Sequence, residues 1–275
     1  MDKKKRTAFL CIVAVIIVLL TIGVFLTGNP NGKAESIQEV MLDAVLHEND
    51  HIKFLGLFEV NPGFVSAVVV TGLVLVFALI VRIFVIPRFK LVPGKFQLVL
   101  EQAVGMFDSL AKSNSPHRNS FLGAYVFTAG AYIFISTLFE LLGLQAVTIH
   151  GHSVALPAPL SDINAAIAMG GLSYLIIMSG GIMSNGIKGI GKTLKDFSLP
   201  ISMSFRLFGA LLSGALVTEL VYYYLQLSFV LPVIVGVLFT LIHALIQAYV
   251  LTMLTALFYG EVSEKSEKKV KKNKA

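Results

Sequence analysis

Arg206 lies in Leu199-Pro-Ile-Ser-Met-Ser-Phe-Arg-Leu-Phe-Gly-Ala-Leu-Leu-Ser-Gly-Ala-Leu-Val-Thr-Glu219, a helix-length stretch with no other charge before its last residue. A cation inside a membrane segment is costly, from about 3 kcal/mol on insertion scales to more than 10 in simulations, so it marks a functional candidate by default. At about 100° per residue, Ser202, Gly209, Ala210 and Ser213 fall within roughly 60° of the arginine direction. The face is therefore lined by small side chains along about three turns, and a neighbouring helix can approach it closely. Small-residue packing explains the glycine but not the cation beside it; the bland alternative is an arginine that snorkels to the membrane interface.

The next apolar helix carries Thr240, His243 and Gln247 on one polar stripe. Counting from a hairpin turn near Ser228, Arg206 lies about 22 residues back and Gln247 about 19 forward, which puts the two at similar depth, within roughly 5 Å. Glu219 and His243 lie nearer the turn, at about 9 and 15 residues. Read inward from the turn, the order is acid, imidazole, amide and guanidinium, a candidate relay for a proton or other ion ending at a fixed positive charge. Glu219 reaching the interface and His243 as a neutral, hydrogen-bonded bundle histidine are the simpler readings of those two residues. No second histidine or carboxylate stands at ligand spacing from His243, so no metal is expected. No cofactor motif survives scrutiny either. Gly186-Ile-Lys-Gly-Ile-Gly-Lys-Thr193 fits a phosphate-binding loop in every fixed position, but that loop works between a buried strand and a helix, and here it follows a membrane span.

The elements that must position these residues are membrane helices. Of 275 residues 56% are hydrophobic and 14% charged, and the mean hydropathy is +0.81, values outside the range of soluble domains. Apolar runs of spanning length fall near 7–27, 64–86, 121–143, 163–185, 199–225 and 230–259. The fold expected is all-α and polytopic, with about six membrane helices, a long tilted C-terminal hairpin and amphipathic surface helices. The last two runs, about 27 and 30 residues, make roughly 40 and 45 Å of helix against about 30 Å of hydrocarbon, so they must tilt or project. Tyr222, Tyr223 and Tyr224 mark the expected outer interface, and Pro232 opens the last helix. Residues 93–107 have helical periodicity with a polar face, as a surface helix does, and 34–47 read similarly but more weakly.

The net charge of +6 resides largely in two tails, Lys3 to Lys5 with Arg6, and Lys265, Lys268, Lys269, Lys271, Lys272 and Lys274. Such tails beside spans set topology or meet anionic lipid; nucleic acid is not the expected partner. The connecting segments alternate in basic content, with Arg88, Lys90, Lys95, Lys112 and Arg118 in one and Lys188, Lys192 and Lys195 in another. The positive-inside rule then places both termini in the cytoplasm, as six crossings require. Four regions follow: an N-terminal anchor or signal-like helix at 1–30, an outer loop at 31–63, a membrane domain at 64–260 and a basic cytoplasmic tail at 261–275. The anchor reading is favoured because no small-x-small cleavage site precedes Gly28-Asn-Pro. The lone cysteine, Cys11, excludes an intrachain disulfide.

At Pro200-Ile-Ser-Met-Ser-Phe-Arg-Leu-Phe-Gly209, Ile246-Gln-Ala-Tyr-Val-Leu-Thr-Met-Leu-Thr255, Pro159-Leu-Ser-Asp-Ile-Asn164 and Lys95-Phe-Gln-Leu-Val-Leu-Glu101, the chain resembles subunit a of rotary F-type ATP synthases. The resemblance extends over about 64–260. It implies a non-catalytic stator subunit of a bacterial plasma membrane, with two offset half-channels and an arginine, here Arg206, that faces a ring of c subunits. A b-type peripheral stalk and the other synthase subunits are the further partners it implies. The resemblance assigns ion translocation to Arg206 and Gln247, with His243 and Glu219 as candidates, and the ring-facing surface to Ser202, Gly209, Ala210 and Ser213.

The chain departs from the family pattern at Ala210, where asparagine is usual, at Ala215, often acidic or histidine, and at Thr240, commonly a polar or charged partner. Glu219 lies one turn beyond Ala215 and His243 nearly one turn beyond Thr240, as if the relay had been re-sited along the same helices. That hypothesis expects reduced pumping in Glu219→Ala and His243→Ala, and wild-type pumping in both rejects it. The competing class is a secondary transporter that binds an anionic substrate at Arg206, which the lack of an inverted repeat disfavours. A scaffold with a snorkelling arginine is the third.

Overall fold

The computed structural model describes residues 52–54, 58–117, 120–147, 149, 151, 153–223 and 231–265, with seven isolated helical positions between Cys11 and Leu42. The expected first span at 7–27, the segment 34–47, Tyr224 and most of the C-terminal tail lie outside these residues. Seven helices are described: α1 Pro62–Ile80, α2 Lys95–Asn114, α3 Ser120–Leu138, α4 Ile163–Asn185, α5 Ile187–Leu194, α6 Ser198–Tyr223 and α7 Leu231–Ser263. Among the described residues, five apolar helical stretches are long enough to cross a membrane: Pro62–Arg88, Phe121–Leu142, Ile163–Asn185, Ser198–Thr218 and Val233–Ser263. The all-α polytopic class expected from composition is the one observed.

The chain divides into two compact units, 50–211 with 240–275, and 1–49 with 212–239. In the larger unit, two short antiparallel hairpins, β1 Ile52–Phe54 with β2 Phe58–Val60 and β3 Gln145–Val147 with β4 Ser153–Ala155, stand at one end. Helices α1 and α4 both begin at that end. Asn61 caps α1 by accepting from Gly63 N at 2.9 Å, and Asp162 caps α4 by accepting from Asn164 N at 2.7 Å and Ala165 N at 3.3 Å. At its far end α1 widens into a π turn, Val81–Val85, and tightens into a 3₁₀ turn, Ile86–Arg88. Pro87 is the physical reason: it has no N–H to donate, and its ring disfavours the carbonyl four residues back.

Helix α4 is the centre of the bundle. Ala166, Met169, Gly170, Ser173, Tyr174, Ile177, Gly180 and Gly181 form one buried stripe along its length. Its glycines set the distances to its neighbours. A Cβ at Gly170 would collide with Ser204 of α6, and one at Gly180 would meet the Tyr259 ring of α7 at 2.5 Å. A Cβ at Gly130 of α3 would lie 2.6 Å from Phe107 of α2. With little hydrophobic drive between helices in lipid, this close backbone approach is what holds them together. Between α3 and α4, Ser173 donates its one proton to the Met169 carbonyl at 3.0 Å, so in the 2.8 Å contact with Ser173 the Tyr125 hydroxyl is the donor.

The surface helix expected at 93–107 is α2, which runs on to Asn114. Its inner residues Phe107, Leu110 and Ala111 join the main core, while most of the rest of the helix is exposed or half-buried. The nucleotide-loop look-alike is the short helix α5. Gly186 has a φ of 64°, where a side chain is strained; Gly189 lies so close to the Gly181 backbone that it has no room for a Cβ. Thr193 is fully buried and donates to the Gly189 carbonyl at 3.0 Å. Lys192 Nζ donates to Glu261 O and Asn185 Nδ2 to Val262 O and Glu264 O, each at 3.0 Å. These bonds satisfy carbonyls at the end of α7 that the helix cannot satisfy itself. Gly186, Gly189, Lys192 and Thr193 of the motif thus have structural roles.

The smaller unit holds α6 beyond Leu211 and α7 as far as Phe239. There Thr218 donates back to the Gly214 carbonyl at 3.0 Å, the usual way a hydroxyl is accommodated in an apolar helix.

Candidate functional site

Helix α6 presents two unlike flanks within the larger unit. Met203, Ser204, Leu207 and Leu211 are buried in the bundle, and Ser204 Oγ donates to the Pro200 carbonyl at 2.7 Å. On the opposite flank Ser202, Phe205, Arg206 and Gly209 are exposed, and Ala210 is half-buried. A Cβ added at Gly209 would meet nothing within 4 Å. The Arg206 side chain makes no hydrogen bond or ion pair with any described residue. A guanidinium has five donors and no acceptor, so this flank carries a cation that no described residue satisfies, one turn from the open space at Gly209. Phe205, at 63% exposure, and Ile201 flank the small residues, a detail that the arginine-centred wheel passes over.

Helix α7 places its polar stripe the other way. Thr240 and Gln247 are buried, at 8% and 6% exposure, beside Ala244, Ala248 and Leu251. His243 is half-buried and has an interaction partner. Gln247 Oε1 is buried without a hydrogen-bond partner among the described residues. Leaving a buried carbonyl oxygen unpaired costs about 1–3 kcal/mol, so such an atom in a native bundle calls for an explanation. Ser213, in the smaller unit, is exposed; the side chains of Glu219, Tyr222 and Tyr223 fall outside the described residues. Among the described residues, no group of three or more histidine, cysteine or acidic side chains has metal-binding geometry.

At the hairpin end, Asn61, Asp162, Asn164, Tyr132 and Met169 help to line a cavity of about 620 Å³. Its rim carries one carboxylate and two amides above apolar walls, a shape that admits water between α1, α3 and α4. The glycines at 130, 170 and 180 hold the helices in register but are hard to recognise as positioning residues in sequence. The signal that could have found Gly170 and Gly180 is the pair of doublets, Gly170-Gly171 and Gly180-Gly181, on one apolar helix.

Fold and site together define a polytopic α-helical membrane protein with an exposed arginine in one of its long apolar helices. A family model described as ATP synthase A chain matches residues 65–260. The chain is 27% identical over 210 residues to the ATP synthase subunit a of Histophilus somni strain 2336, covering 64% of this chain and 79% of that protein. The subunit a of Histophilus somni strain 129Pt matches with the same identity and coverage. The chain belongs to the ATP synthase A chain family. Membership brings a coarse role: a membrane channel subunit of the F0 sector, working in ion transport with other ATP synthase subunits and not catalytic by itself.

Proposed function

We propose that this chain is the proton-translocating stator subunit of an F-type ATP synthase, with Arg206 facing a rotating ring of c subunits and a b-type stalk as a further neighbour. The observation that carries this reading is the state of Arg206, exposed beside the open surface at Gly209 and unpaired among the described residues. A desolvated cation that no described residue pairs is costly unless another group, here on another chain, supplies the anion. A carboxylate on each passing c subunit is that anion. Arg206 stabilises it while ionised and, as a fixed positive charge, stops ions from passing straight between the two half-channels.

Ion flow is then obliged to turn the ring. Each charge that crosses yields about 2.3 kcal/mol per 100 mV, so several must cross for each ATP. Ser202, Gly209, Ala210 and Ser213 form the contact surface, and their small size lets the ring come close. Gln247, His243 and Glu219 serve the half-channels, with the unpaired Gln247 oxygen available to an ion or water. Its membrane is a bacterial plasma membrane, as the resemblance implies, and the distribution of Lys and Arg favours both termini in the cytoplasm.

The test is ATP-driven ion pumping by the purified complex carrying Arg206→Ala. A stator loses pumping while ring and stalk remain assembled. A secondary transporter yields no such complex, and a scaffold leaves pumping unchanged.

A further inference from the structure

The loop between α1 and α2 is a built structure. Gln97 Oε1 accepts from Lys90 N at 3.1 Å while its Nε2 donates to Lys90 O at 2.9 Å and to Glu101 Oε1 at 2.7 Å. One side-chain amide thus pairs with both backbone groups of Lys90 and closes the intervening loop onto the first turn of α2. The loop encloses one side of a cavity of about 580 Å³ whose lining includes Arg88, Lys90 and Lys95 together with Phe84, Phe89 and Phe96. No acidic residue lines it, and the side chains of the three cations make no hydrogen bond or ion pair with described residues. Glu101, the nearest acid in sequence, is engaged by Gln97. Beside the cations, Leu91 and Val92 project at 105% and 83% exposure.

Three unpaired cations around an aromatic-walled cavity match an amphiphile with an anionic head. The location agrees. The spanning stretch Pro62–Arg88 ends where the cavity begins, and its 27 residues make roughly 40 Å of helix, so Arg88, Lys90 and Lys95 reach headgroup level while Leu91 and Val92 can enter the acyl boundary.

We propose that this cavity is a binding site for an anionic phospholipid, whose phosphate is held by Arg88, Lys90 and Lys95 and whose chains lie against Phe84 and the loop's apolar residues. The proposal is independent of the role of Arg206. The site fixes the α1–α2 corner to the membrane surface, and so fixes the height at which α2 meets α3.

The chain has no tryptophan, so Leu91→Trp gives the full chain a single reporter at a position that packs against nothing. Reconstituted in bilayers, it is titrated with brominated phosphatidylglycerol or brominated phosphatidylcholine, and quenching is read as relative binding. The expected preference for phosphatidylglycerol is roughly fivefold or more, the worth of one well-placed cation at an anionic surface. It falls to near one when Arg88, Lys90 and Lys95 are all changed to Gln, and it survives Lys188→Gln, a basic residue at the same end of the larger unit. Equal quenching by the two lipids, or a preference that persists in the triple variant, overturns the proposal. Loss of the preference in inorganic phosphate but not in chloride of equal ionic strength also overturns it, because the site then takes soluble phosphate. In the intact complex, a photo-crosslinking residue at position 91 is expected to yield phospholipid adducts; adducts to an acidic protein segment instead contradict the proposal.

Discussion

Arg206 on α6 and Gln247 on α7 are both polar groups in apolar helices, yet they are placed in opposite ways. The arginine is exposed next to a glycine with open space before it, whereas the glutamine is buried with its oxygen unpaired among the described residues. An exposed cation that no described residue pairs is accessible to another subunit; a buried oxygen that none pairs is accessible only to something small enough to enter. On the proposed reading, the contrast divides the labour of an ion-conducting stator between a surface for the rotor and an interior for the ion.

Glycine substitutions on the two kinds of surface break this comparison most forcefully. Gly209→Leu fills only open space, so the melting temperature of the complex should hardly move. Its ATP-driven pumping should fall roughly tenfold or more, since pushing a charge pair from about 4 to about 7 Å removes nearly half of its attraction. Gly180→Ala forces a methyl into Tyr259 and should destabilise the chain by about 1–3 kcal/mol, with activity per assembled complex largely retained. Thermal melts and pumping assays on both variants check this crossed pattern, and stability loss at Gly209 would count against an open rotor face.

A smaller effect is expected at Gln247. Replacing it with Leu removes an unpaired buried oxygen at nearly constant volume, so the chain should melt at the same temperature or higher, by up to about 1 kcal/mol in stability. Pumping should drop several-fold. A less stable variant with normal pumping would make Gln247 an ordinary packing residue.

Much of this fold is legible because membrane helices are set by long-range apolarity, which a sequence displays directly. The runs near 64–86, 121–143, 163–185, 199–225 and 230–259 correspond to α1 with its extension, α3, α4, α6 and α7. Three-residue strands such as Ile52–Phe54 and Gln145–Val147 are too short to show a period in the sequence. Helix α5 is hidden by its glycines, which disfavour an isolated helix but here permit contact between Gly189 and Gly181. Arg206 stands out as a lone charge in a span, and the small residues follow from helical spacing. The unpaired Gln247 oxygen cannot be read from the chain, since it depends on which groups the folded bundle withholds from it.

The central claim is that the Arg206 flank of α6 lies against a rotor. Oxidative cross-linking in the native complex tests it directly, using Ser202→Cys paired with a cysteine introduced beside the c-subunit carboxylate. The account predicts a disulfide to c that stalls pumping and is reversed by reductant, with no such product from a buried control, Met203→Cys. Failure of Ser202→Cys to reach any c subunit in an active, assembled complex would contradict it.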